Sequence, residues 1–88
     1  MLDLDSAWKL HPQVSVRPEP FGALLYHFGT RRLSFLKDRR LLDVVQSLST
    51  APTARDAFAA AGVIDAEILR FQKALDVLAQ SSIVIERT

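Results

Sequence analysis

Residues 21–37 read FGALLYHFGTRRLSFLK: two apolar runs, residues 23–28 and 31–36, on either side of the dipeptide Gly29-Thr30. Glycine at the first central position of a two-residue loop signals a type II′ hairpin, because that position needs φ > 0. The turn sets Phe28 opposite Arg31, Tyr26 opposite Leu33 and Leu24 opposite Phe35. One face then carries Leu24, Tyr26, Phe28, Leu33 and Phe35. The other carries Ala23, Leu25, His27, Arg32, Ser34 and Leu36. A one-residue slip would exchange the faces, so burial of the aromatic face is expected to hold the register. The chain downstream reads mostly as helix and is expected to cover that face.

Upstream, residues 1–12 show no period, and they either pack back on the domain through Trp8 and Leu10 or form a mobile tail. Val14, Ser15, Val16 and Arg17 alternate and include β-branched residues, as a short strand does. Pro18 and Pro20 are expected to end it, because proline cannot donate to a ladder. The domain proper is therefore expected over residues 13–88.

Downstream, Asp38 is a good N-cap, and Leu41, Val44, Val45 and Leu48 recur at helical spacing, predicting a first helix over residues 39–49. Thr53 and Asp56 resemble a capping box. They open a short second helix that runs to about residue 61 and buries Ala54, Ala57, Phe58 and Ala61. Gly62 is the expected residue beyond its end. Asp65 is expected to cap a third helix, with Glu67 in the favourable first turn. Ile64, Ile68, Phe71, Leu75 and Leu78 form its apolar stripe, while Leu69 and Val77 project from the opposite side beside Lys73. The helix fades at Gln80, and residues 83–86 read as a terminal strand. The order is strand, hairpin, helix, helix–glycine turn–helix, strand. It predicts an α+β domain with a helix-turn-helix unit and a rudimentary wing.

The chain has 88 residues, no cysteine, and 11 Lys+Arg against 10 Asp+Glu for a net charge of +1. That length suits one small domain. The lack of cysteine rules out a disulfide framework and suits a cytoplasmic protein. No apolar run approaches the ~20 residues that span a bilayer, so no membrane association is expected. The N-terminus MLDLDSAWKL has acids where an export signal has bases. The global charge is not that of a typical nucleic-acid-binding domain. The local charge is uneven, because Arg31, Arg32, Lys37, Arg39 and Arg40 fall within ten residues opposed only by Asp38. That cluster is either a solvated surface or a rim for an acidic partner. Arg39 and Arg40 would sit in a first helical turn, where the macrodipole disfavours cations.

Catalytic chemistry finds no support. His11 and His27 lack ligand sets, and His27 is placed on the outer face of the hairpin with no nucleophile or orienting partner. Gly22, Gly29 and Gly62 are isolated, so no glycine loop cradles phosphate. The expectation is a binding module with no enzyme activity, no metal and no cofactor.

Two binding readings follow. A winged helix-turn-helix would lay the third helix in the major groove of DNA. That helix exposes Asp65, Arg70, Lys73, Asp76 and Gln80, and two acids among five polar positions repel phosphate. The alternative guest is a peptide. The strand Arg32, Leu33, Ser34, Phe35, Leu36, Lys37 has no sequence partner after it, so it forms a sheet edge with unpaired N–H and C=O groups. Such an edge accepts an extended peptide as an added strand, and Arg31, Arg32 and Lys37 are placed to pair with its acids. The other reading of those cations is protection of the edge against aggregation.

The segments GALLYHFGTRRLSFLK, DRRLLDVVQSL and TARDAFAAAGVIDAEILRFQKALDVL resemble the peptide chaperones of mycofactocin biosynthesis, which are PqqD-like RiPP recognition elements. The resemblance runs from about Ala7 to near the end, and YHFGTRRLSFLKDRRLL is its most specific part. It implies a three-stranded antiparallel sheet on a three-helix winged helix-turn-helix bundle. It implies binding of a ribosomally made precursor through its leader, and presentation of that precursor to a radical SAM maturase acting on a C-terminal Val-Tyr. The iron–sulfur clusters and S-adenosylmethionine would belong to that maturase. The leader would add beside Arg32, Leu33, Ser34, Phe35, Leu36 and Lys37, against helix residues among Glu67, Arg70, Phe71, Ala74 and Leu75.

Overall fold

The computed structural model describes residues 2–87. Its hairpin has the expected register: β3 (Gly22–His27) pairs antiparallel with β4 (Arg32–Leu36), Tyr26 opposite Leu33 and Leu24 opposite Phe35. The turn is of another kind. Residues 28–31 form a four-residue loop in which the Arg31 N–H donates to His27 O at 2.7 Å. Arg31, with φ 61°, supplies the left-handed residue, and Gly29 does not. The ring of His27 supports the loop, its Nδ1 accepting from the N–H groups of Gly29 at 3.0 Å and Thr30 at 3.2 Å. Two-residue and four-residue loops centred on Gly29-Thr30 give the same strand pairing, so the register holds although the turn differs.

The faces are exchanged relative to expectation. Ala23, Leu25, His27 and Leu36 are buried, whereas Phe28, Leu33 and Phe35 are 60%, 59% and 54% exposed. The cause is packing distance. α1 (Arg39–Ser47) lies directly on β3 and buries Leu41, Leu42, Val44 and Val45. The small Ala23 and the unbranched-at-Cβ Leu25 let that helix approach more closely than a layer of aromatic rings would. At Gly22, with φ +155°, an added Cβ would fall 1.8 Å from Leu36 O. Only glycine fits where β3 begins against the end of β4.

β2 (Val14–Glu19) continues through Pro18 instead of ending before it, and pairs with β3 in the order β2-β3-β4. The hydrogen-bond pattern explains the tolerance. Phe28 N–H donates to Gln13 O at 2.9 Å, and in an antiparallel ladder such bonded pairs recur every second residue. Ser15–Tyr26, Arg17–Leu24 and Glu19–Gly22 are therefore the bonded pairs of the β2–β3 register. Pro18 faces away from β3, where no donor is needed.

Three helices follow. Asp38 caps α1 by accepting from Arg40 N–H at 2.8 Å. Thr53 caps α2 (Ala54–Ala60), accepting from Asp56 N–H at 3.2 Å and donating to Asp56 Oδ2 at 2.8 Å. Gly62, with φ +80°, stands beyond its end. α3 (Asp65–Gln80) is capped at Ile64 and not at Asp65, which is the first helical residue. Ile64 is consequently 62% exposed and does not join the stripe of Phe71, Leu75 and Leu78, which is buried. Ala61 is only half-buried.

The N-terminal residues pack back on the domain. Leu2 and Leu4 are buried, and β1 (Trp8–Leu10) pairs antiparallel with β5 (Val84–Glu86), Lys9 opposite Ile85. Trp8 Nε1 donates to Asp3 O at 2.9 Å. The fold is α+β, with three helices and two antiparallel sheets among the described residues. No helix among the described residues is long and apolar enough to cross a membrane.

Candidate functional site

A sheet of order β2-β3-β4 has two edges, and they are unequal. If the even-numbered residues of β3 bond to β2, the odd-numbered ones bond to β4. Ala23, Leu25 and His27 therefore bond Leu36, Ser34 and Arg32. That leaves the N–H and C=O groups of Leu33 and Phe35 pointing outward from the edge strand, away from β3. On the β2 edge the outward positions are Val14, Val16 and Pro18. Val14 N–H already donates to His11 O at 2.9 Å, and Pro18 has no donor. One edge is mostly closed, while β4 is open.

The open edge is bordered by positive charge. Arg31, Arg32, Lys37 and Arg39 are exposed, and none is in an ion pair among the described residues. Unpaired cations on an edge raise the local concentration of an acidic guest.

The predicted strand residues divide between the faces. Arg32, Ser34 and Leu36 lie on the helix-facing side, with Leu36 buried in the core. Leu33 and Phe35 stand on the other face, where Phe35 stacks on Phe21 at 5.7 Å between centroids.

The predicted helix residues also divide. Phe71 and Leu75 belong to the core, Ala74 is half-buried against it, and Arg70 is exposed. Glu67 and Arg70 meet, Arg70 Nη2 to Glu67 Oε2 at 3.1 Å.

Arg40, which the site reading omits, ties the two halves together. From the first turn of α1 it grips Glu67 in a bidentate pair, Nη1 to Oε1 at 2.7 Å and Nη2 to Oε2 at 2.5 Å. The guanidinium carbons of Arg40 and Arg70 lie 5.1 and 5.0 Å from the Phe71 ring centroid. The Arg40 hydrogen bond, with a weaker one from Ile64 N–H and the nearby cations, lowers the Glu67 carboxyl to about 2, although desolvation opposes the shift. The signal available in the sequence was the cation in the first helical turn, a position that needs a compensating anion.

His27 is a structural residue, buried on the inner face and not the outer one. Its ring lies 4.4 Å from that of His11, and its Nε2 has no partner among the described residues. No group of three His, Asp or Glu among the described residues could hold a metal ion. The arrangement offers main-chain groups, cations and apolar side chains, which are means of binding a chain.

The comparisons with known proteins agree with that chemistry. The model of the Peptide chaperone MftB family matches residues 7–85. The chain is 58% identical over 83 residues to the Peptide chaperone MftB of Mycolicibacterium smegmatis, covering 94% of this chain and 81% of the relative. It is 58% identical over 85 residues to that of Mycobacterium tuberculosis, covering 97% and 78%. It is 59% identical over 83 residues to that of Mycobacterium ulcerans, covering 94% and 76%. No solved structure matches. The shared name is that of a chaperone for a peptide and not of an enzyme. The chain belongs to the Peptide chaperone MftB family.

Proposed function

We propose that this chain is a non-catalytic, cytoplasmic adaptor that takes the leader of a ribosomally made precursor as a strand beside β4 and holds the precursor for a radical SAM maturase. The observation that carries the reading is the asymmetry of the sheet edges: Leu33 and Phe35 present main-chain groups outward, while Pro18 and the Val14–His11 bond block the β2 edge. Main-chain bonds would supply affinity and adjacent side chains the specificity. The proposed contacts are Arg31, Arg32, Leu33, Ser34, Phe35, Leu36 and Lys37 on the strand side, and Glu67, Arg70, Phe71, Ala74 and Leu75 on the helix side. α2, Gly62 and α3 are read as the helix-turn-helix of a PqqD-like winged fold. Holding the leader would raise the effective concentration of the reactive tail at the enzyme.

The test is titration of the isotope-labelled chain with the synthetic leader of its cognate precursor. Saturable amide shifts in residues 31–37 and α3, at affinity of about micromolar or tighter, are expected. Flat spectra with leader, together with shifts at Arg70 and Lys73 on adding duplex DNA, would overturn the reading in favour of a DNA-binding helix-turn-helix.

A further inference from the structure

The face of the β2–β3–β4 sheet that the helices do not cover is not polar. Along β3 and β4 it carries Leu24, Tyr26, Leu33 and Phe35, with Phe21 and Phe28 at its two ends. Phe21, Phe28, Leu33 and Phe35 are each more than half exposed. The rings are already ordered against one another: Phe21 stacks on Phe35, and Tyr26 meets Phe28 edge-on at 5.0 Å. An antiparallel sheet with one solvated face normally alternates apolar-in with polar-out. A contiguous exposed aromatic layer marks an interaction surface.

We propose that this outer sheet face docks a second protein, separate from the leader, that presents an apolar patch ringed by carboxylates. The inference rests on the adaptor reading, in which that protein is the maturase. Two observations select the occupant. The rim is positive: Arg17 projects on this face opposite Leu24 and is 78% exposed, and Arg31 and Lys37 flank Leu33 and Phe35. Among the residues of β2, β3 and β4 and their connections, Glu19, paired with Arg17 at 3.1 Å, is the sole acid that opposes them. A second copy stacked face to face would bring these cations together, whereas an acid-rimmed partner would neutralise them. The second observation is continuity. A strand added beside β4 extends this same face, so a protein seated on Tyr26 and Phe28 would reach the guest's outward side chains as well.

The experiment measures binding of the purified maturase and of the synthetic leader to the wild-type chain, Phe28→Ser and Arg17→Glu. Amide spectra verify that each variant is folded. Neither substitution touches the β4 edge, so leader affinity should be unchanged. Phe28→Ser should weaken the maturase about tenfold or more, as loss of an aromatic anchor does. Arg17→Glu should slow maturase association and flatten its salt dependence. Wild-type maturase affinity in both variants, with leader binding intact, overturns this inference alone. So does a wild-type dimer in sedimentation that Phe28→Ser dissociates, since the occupant is then a second copy. A wild-type chain that binds neither leader nor maturase overturns the adaptor reading and the inference together.

Discussion

Arg40 holds Glu67 with both terminal nitrogens, at 2.7 and 2.5 Å, across 27 positions of sequence. The pair joins the start of α1, just beyond the open β4 edge, to the first turn of α3. Each partner answers a separate local demand. Arg40 sits at a helix N-terminus that repels cations, and Glu67 at one that attracts anions. Glu67 also accepts from Ile64 N–H at 3.4 Å and from Arg70, so one carboxylate organises the α3 terminus and anchors it to α1.

This geometry fixes a pH dependence. Glu67 titrates at about 2 in the folded chain, against an ordinary 4.5, chiefly because Arg40 hydrogen-bonds the ionised form. The folded value is depressed, so the unfolded state binds the proton first as pH falls. The stabilisation is fully present above about pH 4.5 and is lost as pH falls towards about 2. In urea titrations across that range, the stability difference between wild type and Glu67→Gln should shrink steadily. A constant difference would mean that Arg40 does not discriminate between the charged and neutral forms.

Gly22 and Gly62 should respond oppositely in scale to the same methyl group. A Cβ at Gly22 meets the backbone oxygen of Leu36 at 1.8 Å, which cannot move without shifting β4. Gly22→Ala should cost about 3 kcal/mol or more, in keeping with overpacking against backbone. Gly62 has open space around it and only its φ of +80° to protect. Gly62→Ala should cost about 1–2 kcal/mol, the penalty of a left-handed alanine. Thermal and urea denaturation of the two variants checks the order.

What the sequence yields and what it hides have physical causes. The β3–β4 register was legible because any symmetric loop centred on Gly29-Thr30 gives Tyr26 opposite Leu33. The buried face was not legible, because both faces are apolar and residue size pointed to the aromatic one. The helix starts at Asp38 and Thr53 were readable because a cap is a local device. The β1–β5 ribbon was not, because its partners lie at opposite ends of the chain. Pro18 looked like a stop because proline lacks a donor, but only the pairing pattern shows that the donor is unneeded there. In the candidate site, the cationic cluster and the unpaired strand were visible in the sequence, while the Arg40–Glu67 clasp depends on the tertiary fold bringing the N-termini of α1 and α3 within reach of one another.

Core and surface positions of the helices should separate cleanly. Phe58 is 1% exposed and meets Phe71 edge-on at 6.2 Å. Phe58→Ala should cost about 3–5 kcal/mol, the range for a buried aromatic truncated in a packed core. Leu69, more than half exposed on α3, should lose no more than about 0.5 kcal/mol on Leu69→Ala. Equilibrium urea denaturation with a shared slope reads both values.

The last prediction separates main-chain from side-chain recognition at the open edge. Ser34 bonds inward to Leu25 through its backbone and carries a side chain of one hydroxyl, so Ser34→Ala should leave leader affinity unchanged. Phe35 donates outward, and Phe35→Pro removes that donor while leaving the β3–β4 bonded pairs in place, since proline is tolerated on an edge facing away from its neighbour. Losing the donor and leaving its guest acceptor unpaired costs about 1–3 kcal/mol, or roughly five- to 150-fold in affinity. Phe35→Ala supplies the control, because it removes the ring and keeps the N–H. Calorimetric titration of the three variants with leader should rank Phe35→Pro well below Phe35→Ala, with Ser34→Ala equal to wild type. If Phe35→Pro and Phe35→Ala bind alike, the leader is held by side chains and does not form a strand on β4.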